Sequence, residues 1–253
     1  MPNGQRKIPA ILIIYISKDG HEASSQSGNG VEYRTIFYRN EVLNCLENCC
    51  AESAKFPMVR ETHGAFNPKK WWGDKDYKSK NMNPFDSKNK TGSKRHTWAS
   101  VARICYQILN GEDTNDDYKL ASALERVAVL NLRKTPGEKK VNKKEFDKYL
   151  EIKENRDIFL TQIKRIKPNV IICGNTLNKI KKDEIDFRTG ARKKQLWNKN
   201  SYYCFSNVVF INPYHPSNTS IGKDEYVNTV VKAYKDWLAI KDTENLQAFE
   251  WEK

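Results

Sequence analysis

The chain has 253 residues, a formal net charge of +13 and a sequence pI near 9.3. This length suffices for one large domain or two small ones with a buried core. The excess of positive charge argues against a neutral metabolite as the ligand and favours a polyanionic partner such as DNA, RNA or anionic lipid. The longest apolar run, Ile8 to Ile16, is too short to span a bilayer and no signal peptide precedes it, so we expect a cytoplasmic protein without membrane binding.

The first predicted element is a strand over Ala10 to Ile16, a continuous run of mostly β-branched residues that is typical of a strand buried on both faces. The polar stretch from Ser17 to Gly30 contains three glycines and is predicted to be a loop. A helix is expected at about Arg39 to Ala51, where apolar residues recur at helical spacing.

The composition changes from Lys55 to Trp98, where eleven Lys or Arg residues stand against four Asp or Glu residues, a net charge of +7. Aromatic residues are interleaved with the charges, and Lys69, Lys70, Trp71 and Trp72 are adjacent. Such a mixture suits phosphate contacts combined with base stacking. The alternative is a solvated surface insertion that its tryptophans merely anchor.

The remainder of the chain alternates between helices with one apolar face and short apolar strands. The predicted elements are a helix at Thr97–Leu109, a strand at Arg126–Leu132, one or two helices over Lys143–Ile166 that Pro168 ends, strands at Val170–Gly174 and Val208–Ile211, and a last helix at Asp224–Ile240.

This alternation predicts an α/β protein with a three-layer α/β/α arrangement around a central, mostly parallel, four-stranded sheet, as a single domain over 1–253. Ligands of such folds bind beyond the carboxyl ends of the strands. Those ends carry the polar residues Ser17–His21, Asn131, Gly174–Asn175 and Asn212–Ser217. The sequence therefore predicts a site built from these four segments.

The six cysteines include no Cys-x-x-Cys pair, so a zinc or iron–sulfur site is not expected. Cys45 and Cys49 fall one helical turn apart and Cys173 lies in an apolar run. We expect buried thiols and neither a metal nor a cofactor.

The order of the motifs resembles that of the uracil-DNA glycosylase superfamily, over roughly Ala10 to Leu238. The family has an Asp-bearing loop after its first strand, an apolar strand that ends in a base-reading Asn, and a late His-Pro-Ser loop. Val129–Leu132 is similar to the Asn strand, Ile171–Gly174 to the penultimate strand and Asn212–Ser217 to the histidine loop.

The resemblance implies a monofunctional glycosylase that flips a base out of DNA and hydrolyses its N-glycosidic bond. It assigns Asp19 to positioning water and stabilising the sugar cation, and His215 to donating a hydrogen bond to the leaving base. Asn131 would read the base edge, because its amide both donates and accepts, and Gly20, His21 and Tyr214 would complete the pocket.

The same resemblance assigns DNA contacts to the residues that follow His215, which are Ser217, Asn218, Thr219 and Ser220. The apolar wedge that the family inserts into the base stack falls at Thr219, a poor wedge, so Ile221 or the Trp71–Trp72 pair is the expected substitute. The expected partner is DNA, bound by a monomer.

The first motif departs from the uracil-specific branch, because Gly20-His21 stands where that branch has Pro-Tyr. In that branch the Tyr walls off the C5 position of the pyrimidine. Gly20-His21 lacks that Tyr, and the small Gly20 should open the pocket toward C5, so the hypothesis is a C5-modified pyrimidine, such as hydroxymethylcytosine or its glucosylated form. Such bases occur in some phage genomes, and the corresponding role would be antiviral defence.

Several alternatives stay open. Asp19 and Asn131 also suit turns and His215 also suits a structural loop. The chain could be a uracil-DNA glycosylase of base-excision repair or an inactive DNA-binding module of the same fold. A mononucleotide enzyme is disfavoured because no phosphate-binding glycine motif follows any strand.

Two hydrolytic chemistries are set aside. No Gly-x-Ser-x-Gly elbow supports a serine hydrolase. Metal-dependent phosphodiester cleavage needs clustered carboxylates, and the cluster Asp113, Asp116 and Asp117 is predicted to be a solvated connector between helices.

Overall fold

The computed structural model describes residues 10–15, 35–36, 92–124, 126–132, 143–180, 184–216, 218 and 220–251. Within these residues seven strands form one sheet in the order β2-β3-β1-β4-β7-β6-β5. The strands are β1 (Ile11–Tyr15), β2 (Thr35–Ile36), β3 (Ala128–Asn131), β4 (Val170–Cys173), β5 (Arg192–Trp197), β6 (Asn200–Cys204) and β7 (Val209–Ile211). The helices are α1 (Gly92–Asn110), α2 (Asp117–Leu124), α3 (Lys143–Glu151), α4 (Lys153–Ile166) and α5 (Lys223–Ile240).

The centre of the sheet consists of four parallel strands, β3, β1, β4 and β7. β4 is buried along its whole length, and the side chains of Ile11, Leu12 and Ile13 in β1 are no more than 2% exposed. Branched apolar residues without alternation suit strands that helices cover on both faces. The predicted α/β class and the four apolar strands are confirmed.

The predicted sheet of four mostly parallel strands is wrong in extent, because three further strands make the sheet mixed. β2 pairs antiparallel with β3 at one edge, and the antiparallel hairpin of β5 and β6 extends the other edge from β7. β5 begins Arg192-Lys193-Lys194-Gln195 and lacks an apolar alternation, since it is the edge strand and faces solvent. Hydrophobic patterning therefore gives no signal for it.

Helices cover both faces of this sheet and create two apolar cores. On one face α1, α2 and α5 pack against the sheet, with residues such as Ile104, Leu124 and Val230. On the other face α3 and α4 pack through residues such as Phe146 and Phe159. The described residues therefore form three layers, as the sequence predicts. None of the helices in the described part of the chain is long and apolar enough to cross a bilayer.

The predicted helical segment Lys143–Ile166 is two helices, α3 and α4, with Ile152 between them in an extended conformation. α4 ends at Ile166 and is capped by Lys167, whose φ of 43° is left-handed and whose N–H donates to the Ile163 carbonyl at 3.1 Å. A proline follows at once and cannot continue the helix. The predicted role of Pro168 as a helix stop is thus confirmed.

The sequence misplaced the start of one helix and missed another. α1 begins at Gly92, five residues before the predicted Thr97, so the end of the 55–98 segment is helical and not an irregular insertion. α2, which is eight residues long and buries Leu120, Ala123 and Leu124, was not expected from the sequence.

The aspartates before α2 are bonded as well as exposed. The Asp116 carboxylate accepts from the N–H groups of Tyr118 and Lys119, at 2.8 and 3.2 Å, and so caps α2. Asp113 pairs with Arg103 of α1. Both side chains are exposed between two helices, as the predicted solvated connector requires, and both also have these partners.

The cysteines of the described residues are free and buried. Burial raises the pKa of the Cys105 and Cys173 thiols well above the usual range and that of Cys204 to about 11. The predicted buried thiol at Cys173 is confirmed, and a thiol held protonated is a poor nucleophile. Cys45 and Cys49 lie outside the described residues.

Candidate functional site at the carboxyl edge of the sheet

The four parallel strands run in the same direction, so their carboxyl ends lie along one border of the sheet, which we call the carboxyl edge. The predicted site segments follow those ends. Tyr15 of β1 is the Cα partner of Asn131 in β3, Ile14 that of Cys173 in β4, and Ile172 that of Ile211 in β7. β3 and β7 lie three strand spacings apart, about 14 Å. The backbone of Asn131 and the loop that begins at Asn212 therefore flank the ends of β1 and β4.

The histidine loop, residues 212–217, is bonded to the segment that follows β4. The N–H of Asn175 donates to the Pro213 carbonyl at 2.7 Å, and the N–H of Leu177 donates to the Asn212 Oδ1 at 3.3 Å. Asn175 has a left-handed φ of 59°, a conformation that asparagine tolerates better than most residues. The predicted Gly174–Asn175 segment is thus a support for the histidine loop.

The same loop is bonded to β6 from the other side. Asn200 Nδ2 donates to the Asn212 carbonyl at 2.8 Å, and the Asn212 N–H donates to the Ser201 carbonyl at 3.1 Å. Asn200 and Asn212 are 2% and 5% exposed. Buried amides whose hydrogen bonds are made define one geometry, because a shifted loop would leave them unpaired.

Aromatic side chains support the loop at Tyr214. The Tyr226 hydroxyl of α5 donates to the Tyr214 carbonyl at 2.8 Å. The Trp197 ring at the end of β5 lies 5.6 Å from the Tyr214 ring and stacks on Tyr226 at 5.8 Å. Burial raises the pKa of the Tyr226 hydroxyl far above its usual range, so this donor stays protonated.

His215 itself is half-buried, with its Nε2 atom shielded from solvent. Its carbonyl accepts from the Asn218 N–H at 2.8 Å, which closes a turn over the buried Pro216. The Asn218 Oδ1 accepts from the N–H and the hydroxyl of Ser220, at 2.9 and 2.7 Å. The backbone at His215 is therefore held in a folded loop between β7 and α5.

The structure brings together only part of the predicted site. It describes Tyr214, His215, Asn218, Ser220 and the backbone of Asn131 at the carboxyl edge. The other predicted site residues lie outside the described residues, as does the side chain of Asn131. They are Asp19, Gly20, His21, Lys69, Lys70, Trp71, Trp72, Ser217 and Thr219.

The residues that hold the loop carry no predicted role in the sequence. Asn200, Tyr226 and Trp197 lie between 11 and 18 positions from His215, and each acts through a tertiary contact. A single Asn or Tyr has no spacing that identifies such a role. Within the part of the chain that the structure describes, no group of His, Cys, Asp or Glu residues could hold a metal ion.

No model of a known protein family matches the chain, and no curated protein matches it.

Proposed function

We propose that the protein is a DNA glycosylase of the uracil-DNA glycosylase type, which hydrolyses the N-glycosidic bond of a flipped base and leaves an abasic site. The proposal rests on one observation: the carboxyl ends of the four parallel strands lie together at the carboxyl edge of the sheet. The parallel order β3-β1-β4-β7 puts the backbone of Asn131 and the His215 loop on either side of the end of β1, the strand that leads toward Asp19 in the sequence.

The chemistry suits these residue types. Water forms a bond to the C1′ carbon as the bond from C1′ to the base nitrogen breaks, and the base leaves with the electron pair. The sugar becomes cationic, as in other glycosyl transfers, so a carboxylate such as Asp19 can stabilise it and position the water. An imidazole donor at His215 can stabilise the charge on the leaving base.

The rigid loop supports this role for His215. A donor that is already oriented needs no reorganisation as charge develops in the transition state. Bonds from β6, from the segment after β4 and from α5 all end on residues 212–214. His215 directly follows this bonded segment in the chain.

We further propose that the base is larger than uracil, a C5-modified pyrimidine such as hydroxymethylcytosine or its glucosylated form, and that the role is defence against phage. The support is the Gly20-His21 pair in place of Pro-Tyr, because without the tyrosine wall the C5 side of the pocket would be open. A flipped base is then accepted by pocket shape and by contacts to its edge.

The test is abasic-site formation on duplexes that contain uracil, hydroxymethylcytosine or glucosylated hydroxymethylcytosine. We expect release from the modified duplexes, a loss of about 100- to 1000-fold for His215→Ala, and a partial recovery with His215→Gln, whose amide can still donate. Asp19→Asn should be impaired as well. Thermal unfolding of each variant would separate a catalytic loss from a folding loss.

Each alternative has its own outcome in the same assay. Efficient uracil release with none from modified DNA would identify a repair enzyme and reject the modified-base proposal. No abasic sites on any substrate, with the DNA affinity of His215→Ala unchanged, would identify an inactive binding module. Equal release by wild type and Asp19→Asn would reject Asp19 as the carboxylate.

A further inference from the structure

The hairpin of β5 and β6 lies next to the histidine loop and belongs to a stretch without acidic residues. From Phe187 to Lys223 the chain has six Lys or Arg residues and no Asp or Glu. Four of these cations, Arg192, Lys193, Lys194 and Lys199, are on the hairpin. The histidine loop lies in the same acid-free stretch.

The topology turns the basic hairpin toward the candidate site. β6 is antiparallel to both β5 and β7, so β5 runs in the same direction as β7. The β5–β6 turn, with Lys199, is therefore at the carboxyl edge together with the histidine loop. Lys194, Tyr202 and Ile211 are Cα partners across three strands, which puts Lys194 about 10 Å from the start of the loop.

The cations of the hairpin are accessible. Lys193 and Lys199 are exposed and Lys194 is half-buried. Arg192 pairs with Glu244, and its side chain remains 50% exposed. Within the part of the chain that the structure describes, no carboxylate forms an ion pair with Lys193, Lys194 or Lys199.

Trp197 of the hairpin contacts the histidine loop. Its ring contacts Tyr214, the neighbour of His215, and its Nε1 donates to Glu225 of α5 at 3.3 Å. The basic hairpin is therefore in direct contact with the histidine loop. A polyanion seated on the hairpin would be held at a defined position relative to His215.

We propose that the β5–β6 hairpin is a DNA-backbone-binding surface, whose lysines contact the phosphates that flank the nucleotide at the histidine loop. The inference rests on the proposed function for the identity of the polymer. It adds that the substrate is a DNA strand long enough to reach from the histidine loop to the β5–β6 hairpin, and not a free nucleoside. Lysines on edge strands also block edge-to-edge strand pairing, and this is the competing explanation.

The test uses a fluorescein-labelled DNA duplex and compares two triple variants of equal charge. The hairpin variant is Lys193→Gln, Lys194→Gln and Lys199→Gln. The control variant is Lys119→Gln, Lys148→Gln and Lys235→Gln, which removes exposed lysines from α2, α3 and α5. Fluorescence anisotropy gives the dissociation constant of each at several salt concentrations.

We expect the hairpin variant to lose about 10- to 100-fold in affinity and to lower the slope of log K against log salt by about 2 to 3, because each phosphate contact contributes about 0.9. The control variant should change the slope little. Equal slopes for the two variants would overturn the proposal, as would a loss of affinity for phosphatidylserine vesicles with DNA affinity intact. Self-association of the hairpin variant in sedimentation, with DNA affinity intact, would support edge protection instead.

Failure of the inference and failure of the proposed function give different results. If no base is released from any duplex but affinity depends on the hairpin, the surface stands and the glycosylase proposal fails. If bases are released and the hairpin variant binds DNA like wild type, the glycosylase proposal stands and the surface is wrong.

Discussion

Asn212 lies where β7 ends, and its side chain and backbone bond to two different neighbouring segments. Its Oδ1 accepts from Leu177 after β4, and its carbonyl accepts from Asn200 of β6. At 5% exposure no water replaces these bonds easily. This buried amide is therefore one of the supports that set the position of His215 three residues later.

Replacing Asn212 with alanine should lower the free energy of unfolding by about 1–3 kcal/mol, because the buried Leu177 N–H loses its acceptor. Asn218→Ala is the control, since the Asn218 side chain bonds only to the exposed Ser220 in the described structure, and it should change stability by less than about 0.5 kcal/mol. Urea unfolding of the two variants checks this. A cost for Asn218→Ala equal to that for Asn212→Ala would contradict it.

At the scale of elements, Arg103 joins α1 to the two segments beside it. Its guanidinium pairs with Asp113 after α1 and with Asp224 in the first turn of α5. The hydrogen bond from Arg103 holds the pKa of Asp113 below its usual value, and the bond to Asp113 raises the pKa of Arg103. Both shifts favour the charged pair.

The Asp113 shift predicts a dependence of stability on pH. A carboxyl whose pKa is lower in the folded state stabilises the fold above its unfolded pKa of about 3.9, and this contribution is lost as the pH falls through the folded pKa. Since the Asp113 side chain is 43% exposed, we expect Asp113→Asn to cost only about 0.5–1 kcal/mol at neutral pH. Melting temperatures of wild type and variant should differ at pH 7 and converge as the pH falls through the lowered pKa of folded Asp113.

Asp157→Asn is a suitable control for that comparison. Asp157 pairs with Lys153 on the surface of α4, and such i,i+4 pairs contribute only about 0.3–0.5 kcal/mol. A difference between wild type and Asp113→Asn that stays constant from pH 7 down to the lowest pH at which both proteins remain folded would show that the loss does not come from the ionised carboxylate.

At the scale of the whole molecule, the excess charge is confined to two stretches. Residues 55–98 carry a net charge of +7 and residues 187–223 carry +6, which accounts for the formal net charge of +13. The rest of the chain is balanced. A polyanion should therefore contact these two stretches, and neither alone should account for the full salt dependence of binding.

Combining Lys69→Gln and Lys70→Gln with the hairpin substitutions should lower the salt slope by the sum of the separate effects, about 2 more than the hairpin variant alone. The reason is that each neutralised phosphate releases its counterions independently. Anisotropy titrations at several salt concentrations measure this. An unchanged slope after the Lys69 and Lys70 substitutions would confine phosphate contacts to the second stretch.

The sequence predicts the parts of the fold that carry a hydrophobic pattern. β1 and β4 are apolar runs, and α5 has its buried residues Val227, Val230 and Val231 at helical spacing, so local composition suffices. β5 could not be predicted in this way, because its lysines are compatible with a strand only at the sheet edge. β2 is two residues long and leaves no periodic signal.

The candidate site likewise has a part that the sequence predicts and a part that only the structure reveals. The Asn212–Ser217 segment can be recognised because it is a compact polar motif directly after an apolar strand. Asn200 and Tyr226 could not, since their roles arise only from hydrogen bonds to Asn212 and Tyr214. The predicted roles of Asp19, Gly20 and His21 stay predictions.

By itself the sequence determined the α/β class, the apolar centre of the sheet and the concentration of charge, because these depend on composition and on the period of apolar residues. The tertiary structure alone decided the order of the strands, and with it which strand ends meet. It also decided that a basic hairpin lies beside the histidine loop. Strand order depends on pairing between residues distant in the chain, which no local pattern records.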